Sequence, residues 1–131
     1  AVLIDDAYNA NPDSMRAAID MLSHLSSPRV LVAGDMGEIG KHAHDYHVEI
    51  GRYAREHGID RFLAVGEEMK AAAEAFGAGA RYYDNTAALI KAVLDEAQTP
   101  GTVLVKASHY MKLDAVVTAV VGEYGISSQK K

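Results

Sequence analysis

Three stretches of this 131-residue sequence carry residue types that chemistry needs. Asp5-Asp6 sets two carboxylates side by side, an arrangement that holds a magnesium ion, accepts from a ribose hydroxyl or shares one proton. The plainer use of such a pair is to satisfy loop amides. Tyr8-Asn9-Ala10-Asn11-Pro12 follows directly. Capping of a helix accounts for Asn11 and Pro12. It does not account for Tyr8 or Asn9, whose flat ring and amide suit a base and its hydrogen-bonding edges. The third stretch is Lys106-Ala107-Ser108-His109, where a lysine at a strand end offers its ammonium to an anion or a carboxylate. A pairing of Lys106 with Asp5 or Asp6 across the sheet edge is compatible with that use.

Two other groupings carry weaker signals. Gly34-Asp35-Met36-Gly37-Glu38-Ile39-Gly40 is glycine-rich, but five residues separate Gly34 from Gly40 and Lys41 is followed by His42. The phosphate-loop pattern needs four residues there and a hydroxyl after the lysine, so this is a strand-to-helix loop bearing Asp35 and Glu38. His42, His44 and His47 stand close together in a chain without cysteine. His47 falls on an apolar helix stripe, which suits a hydrogen-bonded core histidine, and no metal site is expected.

These residues must be positioned by something, and the hydrophobic periodicity supplies it. Short apolar runs at Ala1–Asp5, Val30–Ala33, Arg61–Val65, Arg81–Tyr83 and Thr102–Lys106 predict strands. Between them lie helical stripes: Met15, Ala18, Ile19, Leu22 and Leu25; then Ala43, Tyr46, His47, Ile50 and Ala54, closed by Gly58. Met69, Ala72, Ala73 and Phe76 mark a short helix ending near Gly77. Leu89, Ile90, Val93, Leu94 and Ala97 line another, and Leu113, Val116, Val117, Val120 and Val121 a last one. Strand–helix alternation predicts an α/β, Rossmann-like, mostly parallel five- or six-stranded sheet with helices on both faces. Residues 1–126 then form one domain and residues 127–131 a frayed tail. Ligands of such sheets sit beyond the carboxyl ends of the strands, where strand order reverses, and all three chemistry-bearing stretches fall at strand ends.

Composition narrows the function. Hydrophobic residues at 49% and charged residues at 24% describe a globular chain rather than a disordered one. A net charge of −5 argues against a nucleic-acid backbone as partner. The absence of cysteine excludes a disulfide scaffold and a thiolate nucleophile. No apolar run reaches the ~18 residues of a membrane span. The chain starts inside a strand and without methionine, which suggests a piece of something longer.

Two families share features with this pattern. An acidic pair after the first strand and a lysine after the fifth are similar to a receiver-type signalling domain phosphorylated on an aspartate. That family carries its acceptor aspartate at the end of the third strand, where this chain has Val65-Gly66-Glu67. The stretch Ile4-Asp5-Asp6-Ala7-Tyr8-Asn9-Ala10-Asn11-Pro12-Asp13-Ser14-Met15 closely resembles the opening of the carboxy-terminal domain of Mur ligases. The type is the one that joins D-alanyl-D-alanine to UDP-N-acetylmuramoyl-tripeptide. Gly34 to Gly40 resembles the family's GDM-x-E-[LI]-G loop, His47-Val48-Glu49-Ile50-Gly51 its H-x-x-[IVL]-G, and Val105-Lys106-Ala107-Ser108 its V-K-G-S. The family usually has glycine at Ala107 and arginine at His109.

The resemblance implies an ATP-dependent carbon–nitrogen ligase of peptidoglycan precursor synthesis, working in the bacterial cytoplasm through an acyl phosphate. ATP and Mg2+ would be held mainly by a central domain carrying the phosphate loop, and this domain, with other domains of its own chain, would close over them. Asp6, Tyr8, Asn9 and Asn11 would face the nucleotide. Lys106, Ser108 and His109 would face the amine substrate, with Asp35 and His47 bracing the crevice. Alone, without a phosphate loop, the domain is expected to be inactive.

Overall fold

Strand side chains alternate between the two faces of a sheet, and this chain's apolar runs place hydrophobes at both parities, which suits a sheet covered on both sides. The computed structural model describes residues 2–6, 10–37, 40–106 and 128–130. Among them β1 (Val2–Asp6), β2 (Arg29–Ala33), β3 (Arg61–Val65), β4 (Ala80–Tyr83), β5 (Thr102–Lys106) and β6 (Ser128–Lys130) form one sheet. Its order is β4-β3-β2-β5-β1-β6, and every described pairing is parallel.

One parity of the strands, Ile4, Leu31, Ala33, Phe62, Ala64 and Leu104, packs in a single cluster with three helices. These are α1 (Pro12–Leu22), α2 (Ala43–Glu56) and α3 (Met69–Phe76), contributing Met15, Ile19, Ile50, Ala54, Met69 and Phe76 among others. The opposite parity, with Leu3, Val32, Val65 and Val105, packs on Leu89, Val93 and Ala97 of α4 (Thr86–Ala97). The stripes expected for these four helices are therefore their inward faces. α1 begins as its sequence dictates: the Asn11 side chain accepts from Ser14 N–H at 2.9 Å, Ser14 Oγ accepts from Asn11 N–H at 3.0 Å, and Pro12 takes the first helical position. α2 and α3 come so close that a Cβ on Gly51 would lie 2.0 Å from the Ala72 carbonyl oxygen.

Two expectations change. Residues 127–131 were expected to fray, yet Ser128–Lys130 is a strand paired with β1. Its polar sequence hides this, because an edge strand needs only backbone hydrogen bonds. The receiver alternative also fails on topology, since that fold has the order 2-1-3-4-5, which the present order does not reproduce. The helix expected around Leu113–Val121 lies outside the described residues.

The order places a switch point. The chain leaving β1 leads through α1 to β2 on one side, whereas β6, which follows β5, lies on the other side of β1. Neighbouring β1 and β5 thus send the chain in opposite directions, the arrangement that opens a crevice beyond their carboxyl ends.

Candidate functional site

β1 and β5 run in register with Asp6 opposite Lys106, so the two charges end their strands side by side. Alternation puts Asp6 on the same face as Ile4, toward α1–α3, and Lys106 on the face of Leu104. Lys106 Nζ lies 3.1 Å from Asp6 Oδ2, and the two side chains are only 4% and 14% exposed. An ammonium that far from water requires a counter-charge, and Asp6 supplies it. β2 completes the edge on the other flank of β5: Ala33 pairs with Lys106, and Gly34 N–H donates to the Lys106 carbonyl at 3.1 Å.

The same alternation separates the acidic pair. Asp5 and Asp6 are consecutive within β1, so their side chains leave opposite faces and cannot share a cation or a proton as adjacent loop carboxylates would. Among the described residues no three His, Asp or Glu side chains form a metal-holding group. His42 and His44 are exposed while His47 is buried, so the three histidines do not converge.

Beyond β2 the Gly34–Gly37 segment turns inward rather than lying as an open loop. Asp35 is only 8% exposed. Its Oδ1 accepts Met69 N–H at 2.8 Å and its Oδ2 accepts Glu68 N–H at 3.4 Å, capping α3 from another segment. Burial pushes the Asp35 carboxyl above its ordinary range, opposed by those amide bonds. Gly66 makes room: a Cβ there would lie 2.4 Å from Asp35 Oδ1, and its φ of +105° suits glycine. His47 Nε2 accepts Met36 N–H at 3.0 Å, and Nδ1, 2.6 Å from the Ala43 carbonyl, donates to it. The H-x-x-[IVL]-G pattern therefore anchors the loop with its histidine and seats α2 on α3 with Gly51.

Sequence reasoning missed two of these participants, Gly66 and the Glu68–Met69 amides. No local signal marks an acceptor that arrives from 33 or 34 residues away. Of the expected site residues the structure brings together Asp6 and Lys106, and sets the Asp35–Met36 loop beside them. Asn11 stands at the start of α1 with its side-chain oxygen engaged in the cap. Tyr8, Asn9, Glu38, Ala107, Ser108 and His109 lie outside the described residues. A cavity of about 370 Å³, lined by Pro28, Arg61, Asp95, Glu96, Thr99 and Pro100, opens at the opposite, amino ends of the strands.

Residues 1–109 match the family model described as Mur ligase, glutamate ligase domain. The UDP-N-acetylmuramoyl-tripeptide–D-alanyl-D-alanine ligase of Escherichia coli K12 is 41% identical over 121 residues, covering 91% of this chain and 26% of the relative. The ligase of the same name from Bacillus subtilis is 34% identical, covering 91% and 28%. A crystal structure of MurF from Acinetobacter baumannii superposes with a TM-score of 0.80 at 29% identity, over 89% of this chain and 26% of that one. MurF ligase from Thermotoga maritima, in complex with ADP, shares the fold with a TM-score of 0.79 at 22% identity, covering 93% and 28%. The chain spans about a quarter of the length of these relatives.

Proposed function

The chain belongs to the Mur ligase C-terminal domain family, and on that premise we propose that it is the lid of an ATP-dependent ligase that adds D-alanyl-D-alanine to UDP-N-acetylmuramoyl-tripeptide in the bacterial cytoplasm. The observation that carries the reading is the convergence of Asp6, the Gly34–Met36 loop and Lys106 at the switch point of the sheet. In the proposed reaction the tripeptide carboxylate attacks the terminal phosphorus of ATP and ADP leaves. The amine of the dipeptide then attacks the acyl carbon and phosphate leaves. An acyl phosphate is readily lost to water, so a domain that closes over it and delivers the amine protects the intermediate and positions the nucleophile.

This chain's residues fit part of that task. Asp6 is an acceptor at the mouth of the crevice, suited to the donors of a ribose. Tyr8, Asn9 and Asn11 are assigned to the same substrate, with Asn11 left its amide N–H groups once its oxygen caps α1. Lys106, Ser108 and His109 are assigned to the amine substrate, where His109 in place of arginine gives a weaker hold on a carboxylate. Asp35 and His47 are assigned as bracing, since each bonds a backbone amide. The described carboxylates do not fit a magnesium ion, because Asp5 and Asp6 diverge.

The test uses the longer ligase that carries this chain. Given the sugar-tripeptide, ATP and magnesium, it is expected to release phosphate on addition of D-alanyl-D-alanine. No release with that dipeptide, while another amine substrate supports it, overturns the substrate assignment.

A further inference from the structure

Lys106 carries more than a charge aimed at a substrate. Its ammonium is almost wholly removed from water and lies against the carboxylate that the proposed function gives to the nucleotide. Its backbone is fixed on both flanks, paired with Asp6 on one side and taking Gly34 N–H on the other. Both residues end their strands, but Lys106 has a paired neighbour on each flank, whereas the described β1–β6 pairing stops at Asp5. We infer that Lys106 is a positioning residue for Asp6: it holds that carboxylate in one orientation, so that binding of the nucleotide depends on the residue that ends β5.

The chemistry favours this direction of action. A carboxylate accepts hydrogen bonds, which is what the two hydroxyl donors of a ribose require, and a swung-out one would lose that match. Asp6 alone could rotate about its side-chain torsions, and the 3.1 Å contact to a buried ammonium removes that freedom before the ligand arrives. Using both charges in one pair also ties the ends of β1 and β5 together, which suits a domain that must receive both substrates.

The inference rests on the proposed ligase reading, and the experiment separates the two. In the full-length ligase, phosphate release is measured while ATP and dipeptide are varied in turn. Lys106→Met is expected to raise KM for ATP about tenfold or more, as loss of one partner of a buried charge pair does. In the Asp6→Asn/Lys106→Met double variant, KM for ATP is expected to be no higher than in Asp6→Asn alone, since Lys106 acts through Asp6. If Lys106→Met does not fold, Lys106→Arg carries the test: it keeps the charge but moves the donors, and about a threefold rise is expected. A KM for ATP that stays within about twofold in the folded variants, or single effects that multiply in the double variant, overturns the inference while leaving the ligase reading intact. An unsubstituted ligase that releases no phosphate overturns both.

Discussion

The Asp35 carboxylate, two residues beyond β2, accepts Met69 N–H at 2.8 Å and so starts α3 from outside that helix. α3 has no cap of its own, because Glu68 sits in the helical region and its side chain makes no capping bond. An eight-residue helix is too short to form by propensity, and its first amides need an acceptor. Asp35→Ala is therefore expected to destabilise the protein by about 1–2 kcal/mol in urea unfolding.

The same carboxyl also gives a pH dependence. Its folded pKa lies above its ordinary 3.8, because burial disfavours the charged form. The folded protein thus holds this proton more tightly than the unfolded chain. That contribution is fully present below the ordinary value and is lost as pH rises through the folded value. Asp35→Asn keeps an acceptor and cannot ionise, so its stability relative to the parent should improve as pH is raised from about 4 to 7. A difference moving the other way across urea titrations would show that the amide bonds, not burial, govern Asp35.

Gly51 sets two opposed effects against each other. Alanine is a better helix former than glycine by about 1 kcal/mol. Yet its Cβ would lie 2.0 Å from the Ala72 carbonyl oxygen, a backbone atom that cannot turn aside. Overpacking of that kind costs about 1–3 kcal/mol or more, so Gly51→Ala is expected to destabilise. A higher melting temperature for Gly51→Ala would refute the close α2–α3 approach.

The sequence made the strands and helix faces readable for a definite physical reason. Burial on both sides leaves continuous apolar runs such as Val30–Ala33 and Val103–Val105, and Asn11-Pro12 carries its own capping chemistry. Contacts that depend on distant chain segments were less legible. Asp35 reads as an open-loop acid until its partners are known to be Glu68 and Met69. Asp5-Asp6 reads as one acidic pair until β1 is seen to include both, which divides them between faces. β6 has no apolar pattern to announce it. The ion pair of Lys106 with Asp5 or Asp6 was foreseeable from strand ends alone; that it is Asp6 follows from register.

His47 has both ring nitrogens committed inside the core. Nε2 takes the Met36 amide hydrogen, so the ring proton belongs on Nδ1, facing the Ala43 carbonyl. Nitrogen-15 NMR of the neutral ring should show protonated Nδ1 and bare Nε2. The reverse tautomer would mean that Met36 N–H is not held by this ring. His47→Phe fills the space but leaves Met36 N–H without this acceptor, and should cost about 1–3 kcal/mol.

The Asp6–Lys106 pair separates the cost of breaking a charge pair from its net worth. Removing one partner leaves the other charge buried and uncompensated, whereas removing both leaves no charge to solvate. With side chains 4% and 14% exposed, the pair is far enough from water for the distinction to matter. Lys106→Met is expected to destabilise by about 3–5 kcal/mol. Asp6→Asn should cost at least as much, since it leaves the more deeply buried ammonium without its counter-charge. In the Asp6→Asn/Lys106→Met double variant the methionine can pack and the amide needs only a hydrogen bond, so its stability should exceed that of Lys106→Met alone. Urea unfolding of the four proteins forms a double-mutant cycle whose coupling energy measures the interaction. Additive losses would mean that the two charges are each served by other groups, and that their 3.1 Å approach contributes nothing to holding the edge together.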